Sequence, residues 1–298
     1  MPSHSNKRRQ ARPLLGTIVE ITAMGTGIDT VKATHAAFGA VECVQRLMSF
    51  HDPESDISRI NAAAAYDEIT IDIQTYQVLQ FAIELGALSD GVFDIATADI
   101  LVRHGFLPSP QHTVKINANA TYRDLELLGE QRVRWRRKGC IDLGGIAKGY
   151  AVDRAIAVLR SSGVHSGVVN AGGDWRCFGD AQPISVRHPT APASLIPLGW
   201  LSDAAIATSS GYFSAGSGND DSINPLVDPQ RQVCTTWNES VSVLAQTCMT
   251  ADALTKIVRL APEAAPDLLA RFEAQAVVID GQAMRCCGAS LLQQEARA

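Results

Sequence analysis

Two paired-glycine turns, Gly144-Gly145 and Gly172-Gly173, flank one helix pattern in residues 140–174, and no other feature constrains the fold of this chain as strongly. A short apolar entry, Ile141 to Leu143, runs into the first pair. Val152, Ile156 and Leu159 then recur at helical spacing, and Gly163 is the natural stop. Gly167-Val168-Val169 reads as a strand that empties into Gly172-Gly173-Asp174. Glycine lets backbone come close to a ligand, and the free N–H groups at a helix start favour anions. The stretch therefore suits a phosphorylated or otherwise anionic ligand. On the glycines alone, plain tight turns are the commoner explanation, so the rest of the chain has to decide.

A chain of 298 residues with 46% apolar content builds one large domain or two modest ones around a sizeable core. A net charge of -5 argues against a nucleic-acid or anionic-membrane partner. Seven cysteines, at 43, 140, 177, 234, 248, 286 and 287, form no CxxC pair and read as mostly reduced, buried small residues. Residues 1–12 are basic without an apolar leader and are expected to fray. No stretch is long enough to span a bilayer, which makes the cytoplasm the expected compartment.

Residues 14–24, β-branched at their centre, predict a first strand. A helix follows over 30–48, with Val31, Phe38, Val41 and Val44 on one face and Thr34 in the same stripe. Ser55 or Asp56 caps a short turn through Ile57, Ile60 and Asn61. A second amphipathic helix over 75–89 stops at Asp90-Gly91. Residues 107–122 read as a polar insertion, and 125–135 as one or two strands. Further strands are expected at 184–186, 200–201, 204–208 and 241–244, with a flexible polar loop at 214–222. Helices at 251–260 and 262–272 precede a hairpin that pairs 276–279 with 284–286 about Asp280-Gly281. The mixture lacks strict βαβ alternation and predicts an α+β (mixed α/β) fold, a largely antiparallel sheet packed with helices.

Several separated segments, in one order, resemble the ApbE family of FAD:protein FMN transferases. They are Leu15-Gly16-Thr17; Met48-Ser49 with Pro53 and Ser55 through Asn61; Gly91-Val92-Phe93-Asp94; and the run from Asp142 to Asp153. Ala171-Gly172-Gly173-Asp174, Ala207-Thr208-Ser209 with Gly211-Tyr212, Asp228-Pro229 and Ala251-Asp252-Ala253-Leu254 complete the set. The resemblance implies a T-fold-like flavin-binding domain over 13–298 behind the basic terminus. It implies cleavage of the FAD pyrophosphate with Mg²⁺, transfer of FMN to a Thr or Ser motif of a target flavoprotein, and release of AMP. It places flavin or nucleotide contacts at Leu15, His51, Val92, Phe93, Asp94, Gly144, Tyr150, Leu226 and Thr255, and lets Lys148 touch phosphate. The Ala147 carbonyl and the Asp252 carboxylate would be metal ligands, with Lys256 at the position of a third. Asp153, Asp174 and Asp228 are expected first as caps or turn anchors.

Two departures from the family pattern stand out. Pro225 occupies the place of the family's histidine, the candidate base for the acceptor hydroxyl, and proline cannot move a proton. No catalytic residue is therefore assigned, with His51 and His188 as other sources of a base. Lys256 occupies the place of a threonine ligand, and Thr255, one residue earlier, is turned away by ~100° on a helix. The alternatives to transfer are an FAD-binding carrier or sensor, and an FAD pyrophosphatase-like hydrolase.

Overall fold

A computed structural model describes residues 6–26, 28–109, 119–191, 193–210, 224–288 and 290–292. Its centre is an eight-stranded sheet whose neighbouring strands all run antiparallel. In spatial order the strands are Asn6–Leu14, Thr17–Gly25, Ser166–Ala171, Asp174–Phe178, Ala205–Ser210, Ser240–Ala245, Gln275–Asp280 and Ala283–Gly288. Side chains alternate across the sheet as a pleat requires. Ala205, Ala207, Val241, Val243 and Ala276 join the core beneath the helices, while Ile206, Leu244, Val277 and Ile279 join a second cluster on the opposite face. The helices Thr30–Met48, Ala147–Ser161 and Cys248–Leu260 cover the first face. A two-stranded ribbon, Gln182–Arg187 with Leu195–Leu201, packs Ile184, Val186 and Leu201 into the second cluster. The fold is α+β.

Local signals account for the elements. The helix Thr30–Met48 begins where the Asp29 carboxylate accepts the Lys32 N–H at 3.0 Å. Its buried stripe runs through Ala33, Thr34, Ala37, Phe38, Val41 and Val44. Val31 is 51% exposed and leaves that stripe, because it sits ~100° round from buried Thr30 in the first turn. Ser55 caps Asp56–Ala62 and Asp72 caps Ile73–Leu88. The helix Cys248–Leu260 begins a turn earlier than its apolar pattern, at the Thr247 cap, and Ala265–Arg271 begins later because a proline opens it. The last hairpin pairs Ile279 with Met284 and Asp280 with Ala283, so its turn falls on Gly281-Gln282. The last strand leaves Cys286 exposed, and the seven cysteines are free.

The basic N-terminus overturns one expectation. Asn6–Leu14 does not fray; it pairs residue for residue with Thr17–Gly25, from Asn6 opposite Gly25 to Leu14 opposite Thr17. A two-residue turn makes this pairing, with Leu15 and Gly16 both at positive φ (55° and 69°). Charge on the strand is compatible with its place at the sheet edge, where it discourages pairing with other chains. Arg9 and Arg12 reach Glu20 (2.6 Å) and Glu42 (2.9 Å). Residues 110–118 of the polar insertion and the loop at 214–222 lie outside the described residues, as do Gly211 and Tyr212. Among the described residues no helix is long and apolar enough to cross a membrane.

Candidate functional site

A cavity of about 1070 Å³ opens where both glycine turns meet the edge hairpin and the ribbon. Leu15, Gly16 and Thr17 form one wall, and the Leu15 N–H is fixed by the Gln45 side chain at 2.6 Å. Gly172 and Gly173 stand opposite, at φ 63° and 106°. A Cβ on Gly172 would lie 2.5 Å from the Thr17 hydroxyl, so the two walls meet only because that side chain is absent. The segment after the helix Ile73–Leu88 delivers Val92, Phe93 and Asp94. The Asp94 carboxylate accepts the N–H groups of Ala96 (2.8 Å) and Tyr122 (2.9 Å), while burial pushes its pKa up to about 6. Asp142 accepts the Gly144 N–H at 2.9 Å, and burial raises its pKa too.

Beneath the glycine turns, two helices cross in contact. A Cβ on Gly149 would lie 2.3 Å from the Cys248 carbonyl oxygen, so the approach depends on glycine. Each helix then caps the other. Asp252, from Cys248–Leu260, accepts the Gly149 N–H at 3.2 Å in the first turn of Ala147–Ser161. Asp153, from Ala147–Ser161, accepts the Cys248 and Met249 N–H groups at 2.9 Å each. Helix starts carry unsatisfied donors and partial positive charge, which makes carboxylates stabilising there. Arg176 completes the Asp153 side at 2.6 Å.

Around the Asp252 cap lie four charges that sum to zero. Lys148 donates to Asp174 at 2.7 Å and stands 3.8 Å from Asp252. Lys256 donates to the other oxygen of the Asp252 carboxylate and, at 2.9 Å, to the Asp252 carbonyl. Burial lowers the Lys148 ammonium, but Asp174 and Asp252 outweigh it and raise its pKa above the ordinary lysine value. Burial and the facing Asp252 charge push Asp174 up to about 6. Burial also works against the Asp252 charge, yet Lys148 and Lys256 hold its carboxyl below the usual range.

The residues picked out in the sequence divide into two groups. Leu15, Val92, Phe93, Asp94, Gly144, Leu226 and Lys256 line the one cavity, as does Pro225. His51, Ala147, Tyr150, Asp252 and Thr255 do not. His51 is exposed beside Phe50, and its N–H is held by Ser49. Tyr150 is buried with its hydroxyl 3.3 Å from the Gln77 side chain. Thr255 is fully buried, its hydroxyl 2.8 Å from Ser209 and donating to the Asp252 carbonyl at 2.7 Å. Its one-residue offset from Lys256 on the helix turns it toward the strand Ala205–Ser210 instead of the cavity. His188 does not line the cavity either; its ring nitrogen accepts the Thr190 N–H. Asp228 is a turn anchor, accepting the Gln230 and Arg231 N–H groups at 3.0 Å each.

Sequence reasoning passed over Asn170, Trp175, Arg187 and Trp237, which also line the cavity. Asn170 and Trp175 flank the second glycine pair on the two strands it joins, Arg187 comes from the ribbon, and Trp237 from the segment before Ser240–Ala245. The anchoring of Lys148 by Asp174 was equally hidden.

Comparison with known proteins agrees with this geometry. The chain is 29% identical over 229 residues to the FAD:protein FMN transferase of Vibrio cholerae, covering 72% of this chain and 69% of that one. It is 22% identical over 285 residues to the Escherichia coli K12 protein of the same name, covering 86% and 81%. Among solved structures, the ApbE protein of Thermotoga maritima superposes with a TM-score of 0.82 at 25% identity, covering 95% and 97% of the two chains. The apo flavinyl transferase ApbE of Pseudomonas stutzeri shares the fold with a TM-score of 0.79 at 21% identity, covering 96% of each. The ApbE family model matches residues 15–279, a span that begins at the cavity's Leu15 and takes in both glycine turns and the crossed helices, and the chain belongs to the ApbE family.

Proposed function

We propose that this chain is an FAD:protein FMN transferase. The observation that carries the reading is that one cavity, large enough for a dinucleotide, gathers the Leu15-Gly16-Thr17 turn, Val92-Phe93-Asp94, both glycine pairs and Leu226 within the span of the family match. In the proposed reaction the hydroxyl oxygen of an acceptor Ser or Thr, on a target flavoprotein, attacks the phosphorus of the FMN half of FAD. The P–O bond to the AMP phosphate breaks, AMP leaves with the electron pair, and the hydroxyl proton passes to a base. Such transfers depend chiefly on positioning and charge stabilisation. Pro225 offers no base, and neither His51 nor His188 lines the cavity, although His51 lies within electrostatic reach of Asp142. Asp94 and Asp142 do face it, and the raised pKa of each brings it closer to the range a proton acceptor needs.

Magnesium fits these residues poorly. One Asp252 oxygen holds the Gly149 N–H and the other holds the Lys256 ammonium. Lys256 stands where a neutral or anionic donor is needed, and an ammonium has no lone pair to give a cation. Among the described residues no group of three or more His, Cys, Asp and Glu side chains gathers as a metal site.

Pro225 favours a second reading, in which the chain binds FAD as a carrier or sensor without transferring FMN. Incubation of the protein with FAD, Mg²⁺ and an acceptor bearing a Ser/Thr flavinylation motif separates the readings. Transfer adds FMN to the acceptor, seen by intact-mass spectrometry, and leaves AMP in solution. AMP with an unmodified acceptor means hydrolysis, and retained FAD without AMP means a carrier or sensor. Should a missing base alone limit transfer, Pro225→His raises its rate by about 10²-fold.

A further inference from the structure

The charge that closes off the Asp252 site faces the ligand cavity. Lys256 lines that cavity, and its side chain is 15% exposed. It is held rather than loose: its ammonium is pinned by the Asp252 carboxylate and the Asp252 carbonyl. Its stem passes over the first glycine pair, where a Cβ on Gly145 would lie 3.2 Å from the Lys256 Cε. A lysine ammonium has three donors. Two have acceptors on Asp252, which leaves one for a ligand beside the backbone that can approach an anion. Lys148 lines the same floor with its own carboxylate partner. A divalent ion seated here would meet two ammoniums at close range, and repulsion between like charges in a buried site is severe.

We infer that Lys256 is a tethered cation standing in for a divalent ion, so that this chain holds the pyrophosphate of FAD without magnesium. The inference rests on the reading of the cavity as an FAD site. An ammonium fixed by the protein requires no capture of an ion from solution. It neutralises phosphate charge as a point charge, though it cannot bridge oxygens as a metal does.

The test titrates the full chain with FAD in excess EDTA and again in millimolar MgCl₂, following flavin fluorescence and calorimetric heat. The inference expects the two dissociation constants to agree within about twofold, and MgCl₂ alone to give no binding heat. Lys256→Gln, which keeps the stem and removes the charge, should weaken FAD binding about tenfold or more in both buffers. Lys256→Thr should weaken it in EDTA and recover it in MgCl₂. A wild-type affinity that rises about tenfold or more with magnesium overturns the inference and leaves the FAD reading intact, as does a folded Lys256→Gln protein that binds FAD as tightly as the wild type. No FAD binding in either buffer removes the FAD reading and the inference with it. If circular dichroism shows that the variants do not fold, the wild-type comparison decides alone.

Discussion

Lys138 is buried and Lys148 half-buried at the cavity, and their ammoniums respond in opposite directions. Lys138 is 6% exposed and donates to the carbonyls of Asn61 (2.7 Å) and Ile60 (3.3 Å), with the Trp135 ring 5.7 Å away. Among the described residues no carboxylate is paired with it, and burial pushes its pKa down to about 8. Burial works against the Lys148 charge too, but two carboxylates reverse the outcome. Burial always works against a charge, and the partner decides whether the charge survives. Carbonyl dipoles satisfy the donors of Lys138 without repaying its lost hydration. At the crossed helices the carboxylates of Asp174 and Asp252 outweigh that loss for Lys148, and that is where the protein keeps fixed positive charge against its cavity.

The largest expected effect breaks the paired side of this contrast. Lys148→Met leaves Asp174 and Asp252 facing each other with one ammonium instead of two. Removing one partner of a buried pair costs about 3–5 kcal/mol, which urea denaturation would register. A loss below about 1 kcal/mol would show that the cluster is solvated and that the contrast with Lys138 is false.

The unpaired side predicts a pH dependence. The fold releases a proton from Lys138 near pH 8 that the unfolded chain keeps to its ordinary value of 10.5. Stability therefore rises as pH rises through that window, by about 3 kcal/mol, and the contribution is lost as pH falls toward the folded value. In Lys138→Met the slope between pH 8 and 10.5 should vanish. An unchanged slope would mean that Lys138 is charged in the fold, as Lys148 is.

Asp94 sharpens the comparison with a carboxylate, and its effect is smaller. Its pKa rises from 3.8 to about 6 on folding, so the fold binds a proton the unfolded chain has lost. Stability is then greatest below the unfolded value and declines by just under ~3 kcal/mol as pH rises through the folded one. Asp94→Asn keeps an oxygen for the Ala96 and Tyr122 N–H groups and should flatten the decline. A decline that persists in the variant would assign it to another group.

Much of the architecture is legible in local pattern. The helix Thr30–Met48 appears at its full length in the periodicity of the sequence, and the Ser55 cap is legible there too, whereas the helix Ile73–Leu88 begins two residues before its expected start, at the Asp72 cap. The strand Asn6–Leu14 is hidden because its composition is that of a solvated tail; only its pairing with Thr17–Gly25 makes it a strand. Leu15, Val92, Phe93, Asp94, Gly144 and Leu226 could be named from motifs, and they do line one cavity. Thr255 and Tyr150 could be named too, but their side chains are spent on packing partners, Ser209 and Gln77.

The sequence alone determined the chemical parts: the glycines that allow close backbone approach, the carboxylates, and a lysine and a proline where the family carries other residues. Tertiary structure decided what those parts do to one another. Asp252 meets Gly149 across 103 residues of chain, Asp153 meets Met249 across 96, and Lys148 meets Asp174 across 26. Such encounters depend on helices crossing at a missing Cβ and on strands fixed in register. Electrostatic energy falls with distance and depends on local polarisability, so neither the sign of a pKa shift nor the place of a cation can be set until those distances exist.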